Sequence, residues 1–188
     1  MTGYAMCGSF CTLRASLLAL EGLIARGLDI QPILSERVVS TSTRFISPSE
    51  LIERLEALTK RRVVCTVEDA EPFGAKCPLD ELIIAPCTGN TLAKIAHGVT
   101  DTAVTMAAKA HLRCDRPTLI ALATNDAMSQ NLANIGTLLA RKSVYLLPMR
   151  QDDPVGKPHS LVADFGRLCE GYDAMLAHRQ LRPLFLEV

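Results

Sequence analysis

The chain has 188 residues, of which 48% are hydrophobic and only 4% aromatic, and its 20 Lys and Arg balance 20 Asp and Glu. That apolar content excludes a disordered polymer, and a neutral surface poor in aromatics excludes binding of nucleic acid through phosphates and stacked bases. No apolar run approaches the roughly 18 residues that span a bilayer and no secretory signal opens the sequence, so a cytoplasmic protein with one domain over residues 1–188 is expected.

In chain order, the apolar run Tyr4 to Cys7 reads as a short buried strand ending at Gly8. A helix follows from about Thr12, with Leu13, Leu17, Leu20 and Ile24 on one stripe and Gly27 as its stop. Asp29 to Leu34 is a second strand. Ser47, Pro48 and Glu50 carry the pattern of a capping box with proline in the first turn, which opens a helix running to Lys60 or Arg61. Arg62 to Val67 is expected as a third strand and Leu82 to Ala85 as a fourth, too continuously apolar to have a wet face. Helices over Thr91 to His97 and Thr102 to Leu112 follow, with Asn90 and Asp101 as their expected caps. Thr118 to Ala123 is a fifth strand, Gln130 to Arg141 a helix, Val144 to Leu147 a sixth strand, and Leu161 to His178 mostly a final helix. Strand–helix alternation with apolar strands predicts an α/β, doubly wound parallel sheet of about six strands with helices on both faces.

Ligands in such folds bind beyond the carboxyl ends of the strands, so the loops after the strands hold the candidate residues. After the first strand, Gly8, Ser9 and Thr12 combine a tight turn with hydroxyls at a helix start, where free amides favour an anion. The loop lacks both the Gly-x-Gly-x-x-Gly fingerprint and the Walker lysine, which weakens dinucleotide and ATP readings. Ser40 to Thr43 supply four consecutive hydroxyls, followed by Arg44, whose planar fork matches a carboxylate. Thr88, Gly89 and Asn90 follow the fourth strand, and Asn125 and Asp126 the fifth. Residues 149–160, which include Lys157 and His159, form a long connection expected to act as a lid. His97, His111 and His178 read as ordinary helix residues. The seven cysteines are odd in number and include no Cys-x-x-Cys pair, so they are expected as reduced, packed thiols, and no metal site is expected.

The segment Pro86 to Lys94 resembles the Pro-Ala-Ser-Ala-Asn-Thr motif of the homo-oligomeric flavin-containing cysteine decarboxylase superfamily. Thr43 to Phe45, Ala70 to Asp80, Ile84 to Arg113, Thr124 to Ala127 and Gln151 to Ala163 tighten the resemblance to one branch, the family of dipicolinate synthase B subunits. The resemblance implies a Rossmann-like flavoprotein fold, a non-covalent flavin mononucleotide (FMN), and homo-oligomers, either trimers or dodecamers. It also implies a partner A subunit, with which dihydrodipicolinate is oxidised to dipicolinic acid during sporulation. The segment Glu71 to Lys76 lacks the histidine that decarboxylating members carry, and Thr124-Asn125 does not keep the Arg-Glu pair of flavin prenyltransferases. Both of those chemistries are therefore disfavoured.

Under this resemblance FMN is expected to contact Gly8, Ser9, Thr12, Thr41, Thr43, Thr88, Gly89, Asn90 and Asn125, with its phosphate near Gly8 and Ser9. Arg44, with Lys109 and Lys157 as further candidates, is expected to hold a small dicarboxylate substrate, and Asp126 and His159 are the candidate bases. The alternatives are a non-catalytic scaffold for an A subunit that carries NADP, or an FMN-dependent decarboxylase or prenyltransferase.

Overall fold

The central strands are the most apolar stretches of the chain and are dry on both faces. In the computed structural model, which describes residues 1–187, β1 (Thr2–Met6) and β2 (Ile30–Leu34) are buried at every position. Strands β3 (Glu81–Cys87) and β4 (Thr118–Thr124) are buried at all but one terminal residue. Such strands require cover above and below. Alternation along β1 divides the cover: Tyr4 and Met6 face one apolar cluster, Ala5 and Cys7 the other.

Helices α1 (Leu13–Ala25), α3 (Pro48–Thr59) and α8 (Leu168–Leu176) close the first side with Leu17, Leu20, Leu51, Leu55 and Met175. Helices α5 (Gly89–His97), α6 (Ala103–Leu112) and α7 (Gln130–Leu139) close the second with Leu92, Val104, Ile135 and Leu138. Fully burying one such side chain contributes about 1.5–3 kcal/mol. The stop of α1 is a left-handed Gly27 at φ 85°, a conformation an L side chain resists. The capping box at α3 forms, with Ser47 Oγ accepting from the Glu50 amide and Glu50 accepting from the Ser47 amide, both at 3.3 Å.

Strands run parallel in the order β2-β1-β3-β4, and β5 (Val144–Leu146) also pairs with β4 in parallel. From the carboxyl end of β1 the chain turns to β2 on one side, and from that of β3 to β4 on the other, which sets the switch point between β1 and β3. The sheet is not wholly parallel, contrary to the sequence expectation. Strands β6 (Met149–Arg150) and β7 (Leu161–Ala163) form an antiparallel hairpin, and β7 pairs antiparallel with Ala123 and Thr124 at the end of β4. Leu161 to Ala163 are thus strand, not the start of the last helix.

The strand expected over Arg62 to Val67 shrinks to one bridge between Val64 and Ile33. Val64 donates to Pro32 and its carbonyl accepts from Leu34, and then Thr66 caps the short α4 (Val67–Ala70) and turns the chain away. A short α2 (Glu36–Ser40), absent from the expectation, occupies the start of the loop after β2. Two caps also differ. Thr88 rather than Asn90 caps α5 by accepting from the Thr91 amide at 3.2 Å, and Thr102 rather than Asp101 caps α6. Among the described residues, no helix is long and apolar enough to cross a membrane.

Candidate functional site

A crevice of about 540 Å³ lies along the carboxyl ends of β1, β3 and β4. Its walls are the turn Gly8 to Thr12, the start of α5 from Thr88 to Asn90, the segment Ala123 to Asp126, and Asp152, Lys157 and Ser160 from the loop between β6 and β7. Ligand pockets range over about 300–1,000 Å³, so the volume suits an organic molecule. Phe10, Ala123 and Val162 provide apolar lining, and the remaining wall is mainly hydroxyl, amide and carboxylate.

The turn after β1 is shaped by local bonds. Thr12 Oγ1 donates to the Ser9 carbonyl at 2.9 Å and to Ser9 Oγ at 3.0 Å, which leaves the Ser9 hydroxyl hydrogen to seek another acceptor. Gly8 keeps the turn slim: a Cβ there would lie 3.5 Å from both Phe10 and Arg37 Cγ. The aliphatic stem of Arg37, on α2, thus packs beside this turn. No motif singled it out, because the five-residue α2 that carries it has too little periodicity to read.

Behind the crevice Asp126 is held by three hydrogen bonds. Thr124 Oγ1 donates to its Oδ1, and Asn131 Nδ2 reaches Oδ1 and Oδ2 at 2.9 Å each. Asn131 is buried and in turn accepts from Asn134 Nδ2 at 2.9 Å. The constellation presses on Gly89: a Cβ there would lie 2.5 Å from Asn131 Nδ2 and from Thr124 Oγ1, and 2.7 Å from Asp126 Oδ1. Asp126 therefore ties the loop after β4 to α7, against the start of α5, and its lone pairs are largely committed. Asn131 and Thr124 were not expected as site residues.

At the mouth, Asp152 accepts from Lys157 Nζ at 2.8 Å and from Ser160 Oγ at 2.6 Å. The Lys157 ammonium and then the Ser160 hydroxyl hold the Asp152 carboxyl below its usual range. Further bonds close the loop upon itself, from the Gly156 amide to Asp153 Oδ1 at 2.8 Å and from Gln151 Nε2 to the Pro158 carbonyl at 2.9 Å. Below the floor Cys7 and Cys87 are both buried, and burial pushes the Cys87 thiol well up.

The crevice brings together Gly8, Ser9, Thr12, Thr88, Gly89, Asn90, Asn125, Asp126 and Lys157 from the sequence expectation. Other expected residues lie elsewhere. Thr41 leaves α2 in extended backbone outside the crevice lining. Thr43 spends its hydroxyl closing its own turn, accepting from the Phe45 and Ile46 amides and donating to the Ile46 carbonyl at 3.2 Å. Arg44 is exposed and stacks over Phe45, 4.8 Å from the ring centroid, off the crevice wall. The exposed His159 contributes its backbone carbonyl to the Met128 amide at 3.0 Å, and its ring does not line the crevice. Lys109 lines a different hollow at the opposite end of the strands, because α6 runs away from the crevice. His111, expected as an ordinary helix residue, is fully buried and binds the Pro117 carbonyl through Nε2 at 2.9 Å.

A mainly parallel sheet with such a crevice at its switch point is the architecture of a Rossmann-like flavoprotein, and a family model described as Flavoprotein matches residues 3–166. The chain belongs to the flavoprotein family. It is 39% identical over 185 residues to the B subunit of dipicolinate synthase from Bacillus subtilis (strain 168), covering 98% of this chain and 92% of that protein. The crystal structure of the B subunit of dipicolinate synthase from Bacillus halodurans C superimposes with a TM-score of 0.90 at 40% identity, over 99% of this chain and 95% of that one. DmrB of Burkholderia xenovorans, solved in complex with FMN as a cubic protein cage for redox transfer, shares the fold at a TM-score of 0.66 and 19% identity, over 94% of each chain.

Proposed function

We propose that this chain is the FMN-binding B-type subunit of a dipicolinate synthase, acting with an A subunit to oxidise dihydrodipicolinate to dipicolinic acid in the cytoplasm of sporulating cells. The observation that carries the reading is the convergence of three strand-end turns and one loop on a single crevice, in a chain similar end to end to subunits of that name. Homo-oligomeric assembly, as trimers or dodecamers, is part of the same reading.

The residues present fit FMN. Gly8 and Gly89 present bare backbone on the crevice wall, where a ligand can approach the chain closely. Gly8, Ser9 and Thr12 would hold the phosphate, and the turn from Pro86 to Thr91 would face the ring system, with Asn90 and Asn125 reaching its polar edge. Bound FMN would supply a two-electron acceptor. The chain's own residues would then orient a dicarboxylate and exclude water. Lys157, on the crevice wall, replaces Arg44 and Lys109 as the candidate carboxylate anchor, and residues 149–160 would act as the lid.

One observation favours the second reading, a subunit that supports a nicotinamide-dependent (NADP) A subunit instead of performing the redox step. Both carboxylates of the crevice are already engaged, Asp126 by Thr124 and Asn131, Asp152 by Lys157 and Ser160. Neither is a free base for the ring proton.

Visible absorbance and flavin fluorescence during FMN titration test the cofactor; saturable quenching is the expected result, and no affinity would refute it. Anaerobic mixing of the FMN-loaded chain with dihydrodipicolinate separates the readings. Bleaching of the flavin without the A subunit places the redox step here. Turnover only in the mixed complex, with flavin that never bleaches, places it on the partner.

A further inference from the structure

The amino ends of β4 and β5, away from the crevice, border a hollow of their own, of about 330 Å³, bounded by the ends of α5 and α6 and by the residues that lead into those strands. Lys109, Arg113, Arg141 and Lys142 line it, against a single acidic residue, Asp115. In a chain whose charges sum to zero, this is a local excess of positive charge, although the Arg113 guanidinium turns toward Gly74. None of the four cations takes part in an ion pair among the described residues. Between them the wall is apolar, formed by Ile95, Val99 and Leu112.

Cations near helix C-termini offset the dipole, each by about 0.3–1 kcal/mol, and that accounts for basic residues at the ends of α6 and α7. It accounts neither for their convergence on one concavity nor for the apolar wall between them. Asp115 sits in left-handed backbone at φ 54°, its carbonyl accepts from Ser143 Oγ at 2.9 Å, and its carboxylate pairs with none of the four cations. Unpaired cations around an apolar hollow match a ligand with anionic groups on a flat, apolar body.

We propose that this hollow is a second binding site, separate from the crevice, for a small organic dianion with a flat apolar body. A nucleoside phosphate monoester and an aromatic dicarboxylate share that chemistry. Three exposed cations, Lys109, Arg141 and Lys142, hold the anionic groups, while Ile95, Val99 and Leu112 take the ring. The site does not depend on the crevice, since its residues come from the opposite end of the strands.

The test is isothermal titration of the FMN-saturated full-length chain with adenosine monophosphate, with pyridine-2,6-dicarboxylate, and with uncharged adenosine. At least one dianion binds with a Kd of about 1 mM or tighter, and raising the salt weakens it. Arg141→Glu and Lys142→Glu each weaken it about tenfold or more, and FMN affinity, measured separately, stays unchanged. The dianion that binds identifies the ligand class. The proposal is overturned if neither dianion binds, if adenosine binds as tightly as its phosphate, or if the variants bind like the parent chain. Binding abolished by Lys157→Ala but not by Arg141→Glu would assign the ligand to the crevice and also overturn it.

Discussion

Gly89 offers a sharp check on how the crevice is built, because two physical effects of replacing it with alanine oppose each other. Within a helix, alanine is favoured over glycine by up to about 1 kcal/mol. Here the new methyl would sit 2.5 Å from Asn131 Nδ2 and Thr124 Oγ1, and 2.7 Å from Asp126 Oδ1. None of these atoms can retreat freely, since they hydrogen-bond one another around the Asp126 carboxylate. Overpacking of this kind costs about 1–3 kcal/mol, and loss of a hydrogen bond to a charged group about 1.5–3 kcal/mol, so sterics win. Gly136, in the exposed part of α7, has nothing within 4 Å of its missing Cβ and serves as the control. Thermal melts should show Gly89→Ala lowered by about 2–10 °C and Gly136→Ala raised by up to about 4 °C. FMN titration should show at least about tenfold weaker binding for Gly89→Ala only. If Gly89→Ala melts with or above the parent chain and binds FMN equally well, the packing of this wall is not what the contacts imply.

Two titrating groups give further predictions. His111 is buried, its Nε2–H donates to the Pro117 carbonyl and its Nδ1 is buried without a partner, and burial lowers its pKa. A base with a depressed folded pKa stabilises the fold fully above the unfolded value of about 6.5, and that stability declines as pH falls from there toward the folded pKa. The melting temperature should therefore drop between about pH 7.5 and 5.5, and His111→Gln should reduce that drop; an equal drop in both would refute the assignment. Asp152, its pKa lowered first by Lys157, ties the loop at residues 151–160 in place above about pH 3.9, and the tie is lost as pH falls through the lowered value. At neutral pH Asp152→Asn should speed amide hydrogen exchange at Gly156 and Lys157 while leaving global stability within about 0.5 kcal/mol, and unchanged exchange would show that the pair does not hold the loop.

The apolar runs of β1, β3 and β4, the leucine stripe of α1 and the capping box of α3 are properties of local sequence, and each was found where the residues placed it. Elements decided by tertiary pairing were not. Val64 has the composition of a strand residue, yet its pairing ends after one bridge because the Thr66 cap starts α4. Leu161 to Ala163 become strand only through Ala123 and Thr124, which are far away in sequence. In the crevice, the residues contributed by turns directly after strands were readable, since topology alone sends them to one rim. Arg37 and Asn131, which pack behind those turns, were not, because their place depends on how α2 and α7 pack. Lys109 shows the reverse failure: its charge suited an anion, but nothing local reveals which end of the sheet α6 carries it to.

The loop that bears Asp152 and Lys157 is the tip of the β6–β7 hairpin, entered and left through neighbouring antiparallel strands. Topologically it is a cul-de-sac: residues added or removed at its end shift neither the register of the parallel strands nor the helices that cover them. Such tips tolerate insertion and deletion. Relatives of this chain can therefore retailor the entrance to the crevice, and with it the molecules admitted, while the turns that line its floor stay fixed.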